Sequence, residues 1–238
     1  LHHKKGSILL SKVYNIYSTT LLKNNQLIEA AKNANLAFEI NPFHSLPFKV
    51  LSLIYQKTGD RSNELRTLVI GSLLEIEYPK VYALLAKFYD QTNKDQAIKI
   101  PIIQRWLKLE SDENKISALK IELNRLKTLI EKKQNQFISE KNIARNHFSN
   151  HRWEEAVDSY SKLNQWNMMD ASLYLELGVA LGKLNQSKKA IDSLYSGLII
   201  DHNNPYIHRI LSNYYLKVEN SPYMSAIHLR HYLKNAEK

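Results

Sequence analysis

Two histidine pairs have the spacing that best suits chemistry in this sequence. His147 and His151 are four positions apart, so on a helix they would share one face and could bind a metal ion together. His228 and His231 are three apart near the end of the chain. The apolar periodicity assigns His147 to a helix core, and His151 falls in a predicted turn. We therefore predict structural roles for these histidines, with no bound metal or other cofactor.

The sequence lacks motifs for nucleophilic or phosphate chemistry. It has no cysteine, and so no thiolate nucleophile or thiolate metal ligand. It also has no glycine-rich phosphate loop and no strand–turn–helix nucleophile motif. The adjacent carboxylates Glu154 and Glu155 lie at a predicted helix start, where they complement the helix dipole. The sequence predicts a protein that is not an enzyme.

The charge is strongly basic and unevenly distributed. The chain has 33 Lys and Arg against 23 Asp and Glu, and most of the excess lies in residues 1–150. Such a balance favours an acidic partner, which could be a protein, a nucleic acid or a lipid surface. Nucleic-acid binding also calls for exposed aromatic residues among the basic ones, whereas Trp106, Trp153 and Trp166 fall at predicted core positions. A protein partner is therefore the prediction, and nucleic acid the less favoured one.

Membrane insertion is not predicted, because no run of about 18 apolar residues is present. We expect a soluble protein. Its compartment stays open between the cytoplasm and, after removal of a signal, the periplasm.

The elements that carry these residues are predicted to be helices. Residues 102–177 contain neither Gly nor Pro, and their apolar residues recur at intervals of three and four. The whole chain has only six Gly and six Pro, too few for an all-β fold with many tight turns. The predicted fold class is all-α.

One segment, residues 171–204, reads as a pair of short amphipathic helices. Tyr174, Leu177 and Gly178 line a face of the first helix, and Ala190 and Leu194 line a face of the second. Steps of 34 residues find related patterns. They cover residues 11–44, 45–78, about 79–113, 137–170 and 205–238.

This pattern resembles the tetratricopeptide repeat (TPR) family, whose repeat has about 34 residues. The resemblance implies a TPR-like α-α superhelix, a right-handed solenoid of antiparallel helix pairs. It divides the chain into an N-terminal array of about three repeats over 1–113, a connecting helix segment over 114–136, and a C-terminal array of about three repeats over 137–238.

Two features depart from the repeat. Pro101 falls inside the second helix of 79–113, where it should kink or restart that helix. Residues 114–136 are out of phase and carry a heptad-like apolar stripe. We predict one long helix over 114–149, with a break near 133–136 as the alternative.

The resemblance also implies a function, because first helices of TPR pairs line a concave groove that binds a segment of another protein. The second array's groove should start basic and become apolar, so the expected ligand is an acidic or amphipathic segment. We predict a non-catalytic scaffold or adaptor of undetermined oligomeric state. The alternatives are a structural or assembly subunit of a bacterial envelope machine (flagellum, pilus or secretion) and a basic TPR-like nucleic-acid-binding protein. The repeat register assigns the following residues to the groove: Lys49, Leu53, Gln56, Lys80, Lys87, Lys141, Arg145, Phe148, Leu175, Val179, Tyr206, Arg209 and Asn213.

One family subtype grips a terminal carboxylate with Lys and Asn side chains from successive repeats. Here Lys141 fits, but Arg145 and Glu176 stand where Asn is expected, and Tyr206 and Ile210 replace the last Lys and Arg. A glutamate facing a carboxylate repels it, so we predict no such clamp.

Overall fold

The structure is a computed structural model that describes residues 2–41, 46–74, 79–92, 96–131, 134–164 and 170–236. In these ranges the chain forms helices and no strand, which confirms the all-α prediction. None of the helices in the described part combines the length and apolarity needed to cross a bilayer. The elements are α1 (His2–Lys23), α2 (Leu27–Ile40), α3 (Leu46–Thr58), α4 (Arg61–Leu73), α5 (Pro79–Thr92), a 3-10 helix (Gln96–Ile98), α6 (Lys99–Leu107), α7 (Glu113–Glu131), α8 (Gln134–Ser149), α9 (Trp153–Asn164), α10 (Ala171–Lys183), α11 (Ser187–Ile200), α12 (Pro205–Lys217) and α13 (Pro222–Asn235).

The turns inside the helix pairs share one backbone conformation. Within the described residues, such turns contain one residue with a positive φ: Asn25 (60°), Gly59 (73°), His151 (57°), Asn185 (59°) and Asn220 (48°). Asn25 and Gly59 are 34 positions apart, and so are His151 and Asn185. In those four turns the next residue's N–H donates to the carbonyl five positions earlier, as at a helix end capped by a left-handed residue. The backbone conformation of these turns therefore recurs at the predicted interval of 34 residues.

The described helices form two compact units, Leu1–Ile76 with His208–Lys238, and Glu77–Ile207. The division into arrays over 1–113 and 137–238 concerns the repeat register rather than compactness, so it stays a prediction.

In the first unit, α1 and α2 pack closely and stack on α3. Ala30 and Ala34 are fully buried, which lets the two helix backbones approach each other. The Ser11 hydroxyl donates a hydrogen bond to the Ala37 carbonyl across this contact at 2.9 Å. The core continues to α3 through Val50 and Leu51.

In the second unit, the core follows the positions that the repeat pattern predicted. Leu177 and Leu181 of α10 and Ala190 of α11 are buried in one cluster with Ala144 of α8 and Ala156 of α9. Alanine at these crossings leaves room for close helix packing.

Pro101 restarts a helix rather than kinking one. It lies in the first turn of α6, which begins at Lys99 after the 3-10 helix. At that position the missing proline N–H removes no helical hydrogen bond.

The predicted heptad-like stripe of α7 is a packing surface. Leu126 is buried against Ile100 and Ile103 of α6, and Leu119 and Leu123 pack beside it. Residues 132 and 133 lie outside the described residues, so the prediction of one continuous helix over 114–149 is not tested.

Two cations tie the helices of the second unit together. Lys99 is buried and contacts the carboxylates of Asp90 on α5 at 2.6 Å and Glu122 on α7 at 2.9 Å. Arg105 on α6 donates hydrogen bonds to the carbonyls of Ile199 and Ile200, the last two residues of α11. The guanidinium thereby supplies donors to a helix end that lacks intrahelical ones.

Candidate partner-binding surface

Helices α8 and α10 carry the predicted groove residues of the second unit. Lys141 and Arg145 are four positions apart on α8, and Leu175 and Val179 are four apart on α10, so each couple shares a helix face. Leu175 and Val179 are half-buried, which leaves apolar area accessible. Together with two polar residues of α10 they form what we call the α8–α10 surface: Lys141, Arg145, Ser172, Leu175, Glu176 and Val179.

The cations of this surface are paired with carboxylates at the start of α10. The ammonium of Lys141 contacts the carboxylate of Asp170, the residue that caps α10 by accepting from the Ser172 N–H at 2.9 Å. Arg145 donates from Nη2 to the Ser172 hydroxyl at 2.8 Å, and its Nε lies 3.3 Å from Glu176 Oε1. Two positive charges on α8 are thus matched by two negative charges near α10.

This pairing corrects the expectation that the groove starts basic. Asp170 and Glu176 neutralise Lys141 and Arg145, and the Lys141 side chain is only 19% exposed. Arg145 is the more accessible cation, with 42% of its side chain exposed. The α8–α10 surface therefore presents half-buried apolar residues beside a neutralised polar network.

A buried tyrosine extends the network to α9. The Tyr160 hydroxyl donates to a carboxylate oxygen of Glu176. Burial, and then this hydrogen bond, raise the pKa of Tyr160, so the phenol remains a donor at neutral pH. Burial alone would raise the pKa of Asp170, but hydrogen bonds from Lys141 and Ser172 lower it overall.

Phe148 is partly buried and packs against the core of the second unit. Its ring packs edge-on against Trp153 at 5.6 Å and Tyr160 at 6.3 Å, and it adds to the core between α8 and α9. These contacts are with the partner helix of its own pair, and a role of Phe148 in the groove stays a prediction.

No protein-family model matches the sequence, and no curated protein was found to be similar to it. Solved structures similar to it include YrrB, described as a TPR protein with an unusual peptide-binding site, at 13% identity over 83% of this chain and 89% of that one, with a TM-score of 0.40. The TPR domain of P58(IPK) has 15% identity over 96% of this chain and 61% of its own, with a TM-score of 0.41. The TPR2AB domain of yeast Sti1, solved as a complex with pHSP90, has 17% identity over 95% and 98%, with a TM-score of 0.40.

The recurring turn at a spacing of 34 residues and the paired helices around it identify the architecture. The chain has a TPR-like fold.

The remaining predicted groove residues of this TPR-like chain lie at or near its surface. Lys49, Leu53 and Gln56 on α3 are half-buried, whereas Lys80 and Lys87 on α5 are exposed. On α12, Tyr206, Arg209 and Asn213 are exposed. That these residues of α3, α5 and α12 bind a partner stays a prediction.

The histidines do not form a metal centre among the described residues, where no group of three or more acidic, histidine or cysteine side chains is arranged to hold a metal ion. His147 is half-buried on α8. His151 occupies the left-handed turn position, with its ring 5.0 Å from that of Trp153.

His228 and His231, which their spacing singled out, form a cluster with His208, a residue that the sequence pattern did not indicate. His208 and His228 are fully buried, their Nδ1 atoms are 3.0 Å apart, and the ring of His231 stacks on His208 at 4.8 Å. The repeat register could have found it, since His208 and His228 lie 34 positions after the buried Tyr174 and Leu194.

Proposed function

We propose that this protein is a non-catalytic scaffold that binds a segment of another protein on the α8–α10 surface. The supporting observation is the juxtaposition of the half-buried Leu175 and Val179 with the polar network of Arg145, Ser172 and Glu176. Protein-binding sites combine accessible apolar residues with hydrogen-bonding groups around them in this way.

The pairing of the cations decides what kind of segment fits. An acidic residue of the ligand would have to compete with Glu176 for Arg145, so charge alone gives little affinity. Apolar contact with Leu175 and Val179 would supply most of the binding, and Arg145 would select a carboxylate beside it. The proposed ligand is an amphipathic segment with an acidic residue next to its apolar ones. The same pairing gives a nucleic-acid ligand less support.

A peptide-display selection against the whole chain tests this proposal. Selected peptides should be rich in apolar residues with neighbouring Asp or Glu. Binding of these peptides to Leu175→Ser/Val179→Ser should weaken by about tenfold or more, with the loss mainly in a faster dissociation. Arg145→Glu should instead slow association and alter its salt dependence.

The matched control removes apolar area elsewhere in the same unit. Ile121 and Leu129 on α7 are exposed, and Ile121→Ser/Leu129→Ser should leave peptide binding unchanged. Equal losses in the two double variants, or full binding by Leu175→Ser/Val179→Ser, would show that the α8–α10 surface is not the binding site.

A further inference from the structure

Over residues 9–18, helix α1 presents apolar side chains to solvent and polar side chains to the protein. Ser11, Asn15 and Ser18 face the rest of the unit and are 1%, 3% and 0% exposed. The opposite face is formed by large apolar side chains with high exposure: Leu9 (65%), Leu10 (47%), Val13 (53%), Ile16 (69%) and Tyr17 (55%). We call these five residues the outer face of α1. A surface helix normally shows the reverse arrangement, and a contiguous exposed apolar stripe of this kind marks an interaction site.

The repeat register indicates what kind of surface this is. Ile16 and Tyr17 lie 34 positions before Val50 and Leu51 of α3. In α3 these equivalent residues are buried, and they belong to one core cluster with Ala30 of the preceding helix pair. The outer face of α1 thus corresponds to the face on which α3 receives a neighbouring helix. The outer face of α1 is therefore suited to packing against another helix.

Charge indicates which helix would fit. The sequence of α1 contains Lys4, Lys5, Lys12 and Lys23 and no Asp or Glu. Lys12 lies four positions before Ile16 and Lys23 seven positions after it, so both sit along the same edge of the outer face. Both lysines are exposed.

A second copy of this chain is a poor occupant of the outer face, because two copies of α1 would bring lysine against lysine. A membrane surface is also disfavoured. A helix that lies on a membrane needs a solvated polar face, whereas the polar face of α1 is buried inside the unit.

We propose that the outer face of α1 binds an amphipathic helix of another protein, with acidic residues along one edge of that helix's apolar face. Apolar packing on Leu9, Val13 and Ile16 would hold the helix, and pairing of its acidic edge with Lys12 and Lys23 would set its orientation. This surface is separate from the α8–α10 surface and does not depend on it.

Two designed helical peptides of about three heptads, with leucine at the core positions and either glutamate or lysine at the flanking positions, provide the probe. Fluorescence anisotropy should show the whole chain binding the glutamate peptide at least about tenfold tighter than the lysine peptide. Lys12→Glu/Lys23→Glu should reverse that preference. Val13→Ser/Ile16→Ser should abolish binding of both peptides.

Controls separate this proposal from a general effect on the fold. Leu229 and Leu233 on α13 are also exposed, and Leu229→Ser/Leu233→Ser should bind the glutamate peptide as the unaltered chain does. Leu175→Ser/Val179→Ser should do so too, which keeps a failure here distinct from a failure of the α8–α10 surface. Unchanged circular dichroism and melting temperature of each variant should accompany these results.

Four results would overturn the proposal. The first is equal affinity for the two peptides, and the second is undiminished binding by Val13→Ser/Ile16→Ser. The third is self-association in sedimentation experiments that Val13→Ser/Ile16→Ser removes, which would identify a second copy as the occupant. The fourth is co-sedimentation with vesicles of phosphatidylserine and phosphatidylcholine that the same variant removes, which would identify a membrane.

Discussion

Gly178 on α10 and Leu194 on α11 meet at a contact where a side chain larger than hydrogen does not fit. A Cβ placed at position 178 would lie 2.9 Å from Cγ and Cδ2 of Leu194 and 3.2 Å from the carbonyl oxygen of Ala190. The absent side chain therefore sets how closely the two helices of this pair approach.

Gly178→Ala should lower the free energy of unfolding by roughly 1–3 kcal/mol, because the methyl group forces the α10–α11 contact apart. Gly182 on the same helix is the matched control, since a Cβ there meets no atom within 4 Å. Gly182→Ala should raise stability by about 0.5–1 kcal/mol through its better helix propensity. Urea denaturation measures both changes, and a shift of the same sign in the two variants would contradict the contact.

Asn185 tests the left-handed turn between α10 and α11. Its φ of 59° is strained for most residues, so Asn185→Ala should cost about 1 kcal/mol, whereas Asn185→Gly should be neutral or slightly stabilising. Gly59 has the same backbone role and open space around its Cα, so Gly59→Ala should cost a similar amount for backbone reasons alone. Thermal melts that rank alanine at or above glycine would rule out this account of the turn.

Arg105 tests the link between α6 and the end of α11. Arg105→Met keeps much of the apolar stem but removes the donors to the Ile199 and Ile200 carbonyls, and we expect a loss of about 1–3 kcal/mol. Arg152 is exposed, so Arg152→Met should change stability by less than about 0.5 kcal/mol. Equal denaturation midpoints for the two variants would mean that the link does not stabilise the fold.

The buried histidines should make stability depend on pH. Burial, and then the neighbouring His208 and His231, lower the pKa of His228 well below its usual value. The unfolded chain therefore binds a proton more readily, so this contribution to stability is complete above pH ~6.5 and declines as pH falls below that value. Melting temperatures should fall as the pH is lowered from about 7.5 to about 5, a range on either side of the ordinary histidine pKa of about 6.5.

His228→Asn should flatten that decline, because asparagine can still hydrogen-bond to His208 but does not titrate. His151→Asn, which removes an exposed histidine, is the matched control. If both substitutions changed the pH dependence of the melting temperature equally, the buried cluster would be excluded as the cause of that dependence.

Glu122 should make the free energy of unfolding depend on pH in a second, more acidic range. The hydrogen bond from Arg125, helped by Lys99, lowers the pKa of Glu122 to about 2 despite partial burial. Its contribution to stability is present above the ordinary glutamate pKa of about 4.3 and is lost as pH falls toward 2. Glu122→Gln should reduce the pH dependence of the unfolding free energy in that window. The free energy of unfolding is measured by urea denaturation across this pH range. The same pH dependence in Glu122→Gln and the unaltered chain would contradict this assignment.

Local sequence determined the helices, the turns and the repeat register. Apolar spacing of three and four places Leu177, Leu181 and Leu194 on the faces that become buried. These signals act within a few residues of one another, so they can be read without knowing the fold. The same register places Lys141 and Arg145 on α8 and Leu175 and Val179 on α10.

Tertiary structure alone decided what those residues contact. Arg145 meets Glu176, 31 positions away, and Arg105 caps the end of α11, 94 and 95 positions away. Phe148 packs against Trp153 of its own helix pair, and α1 buries Ser11 and Ser18 while exposing Leu9 and Leu10. Periodicity shows which residues share a helix face. Which face is covered depends on the distance and angle between helices, and these follow from the packing of the whole unit.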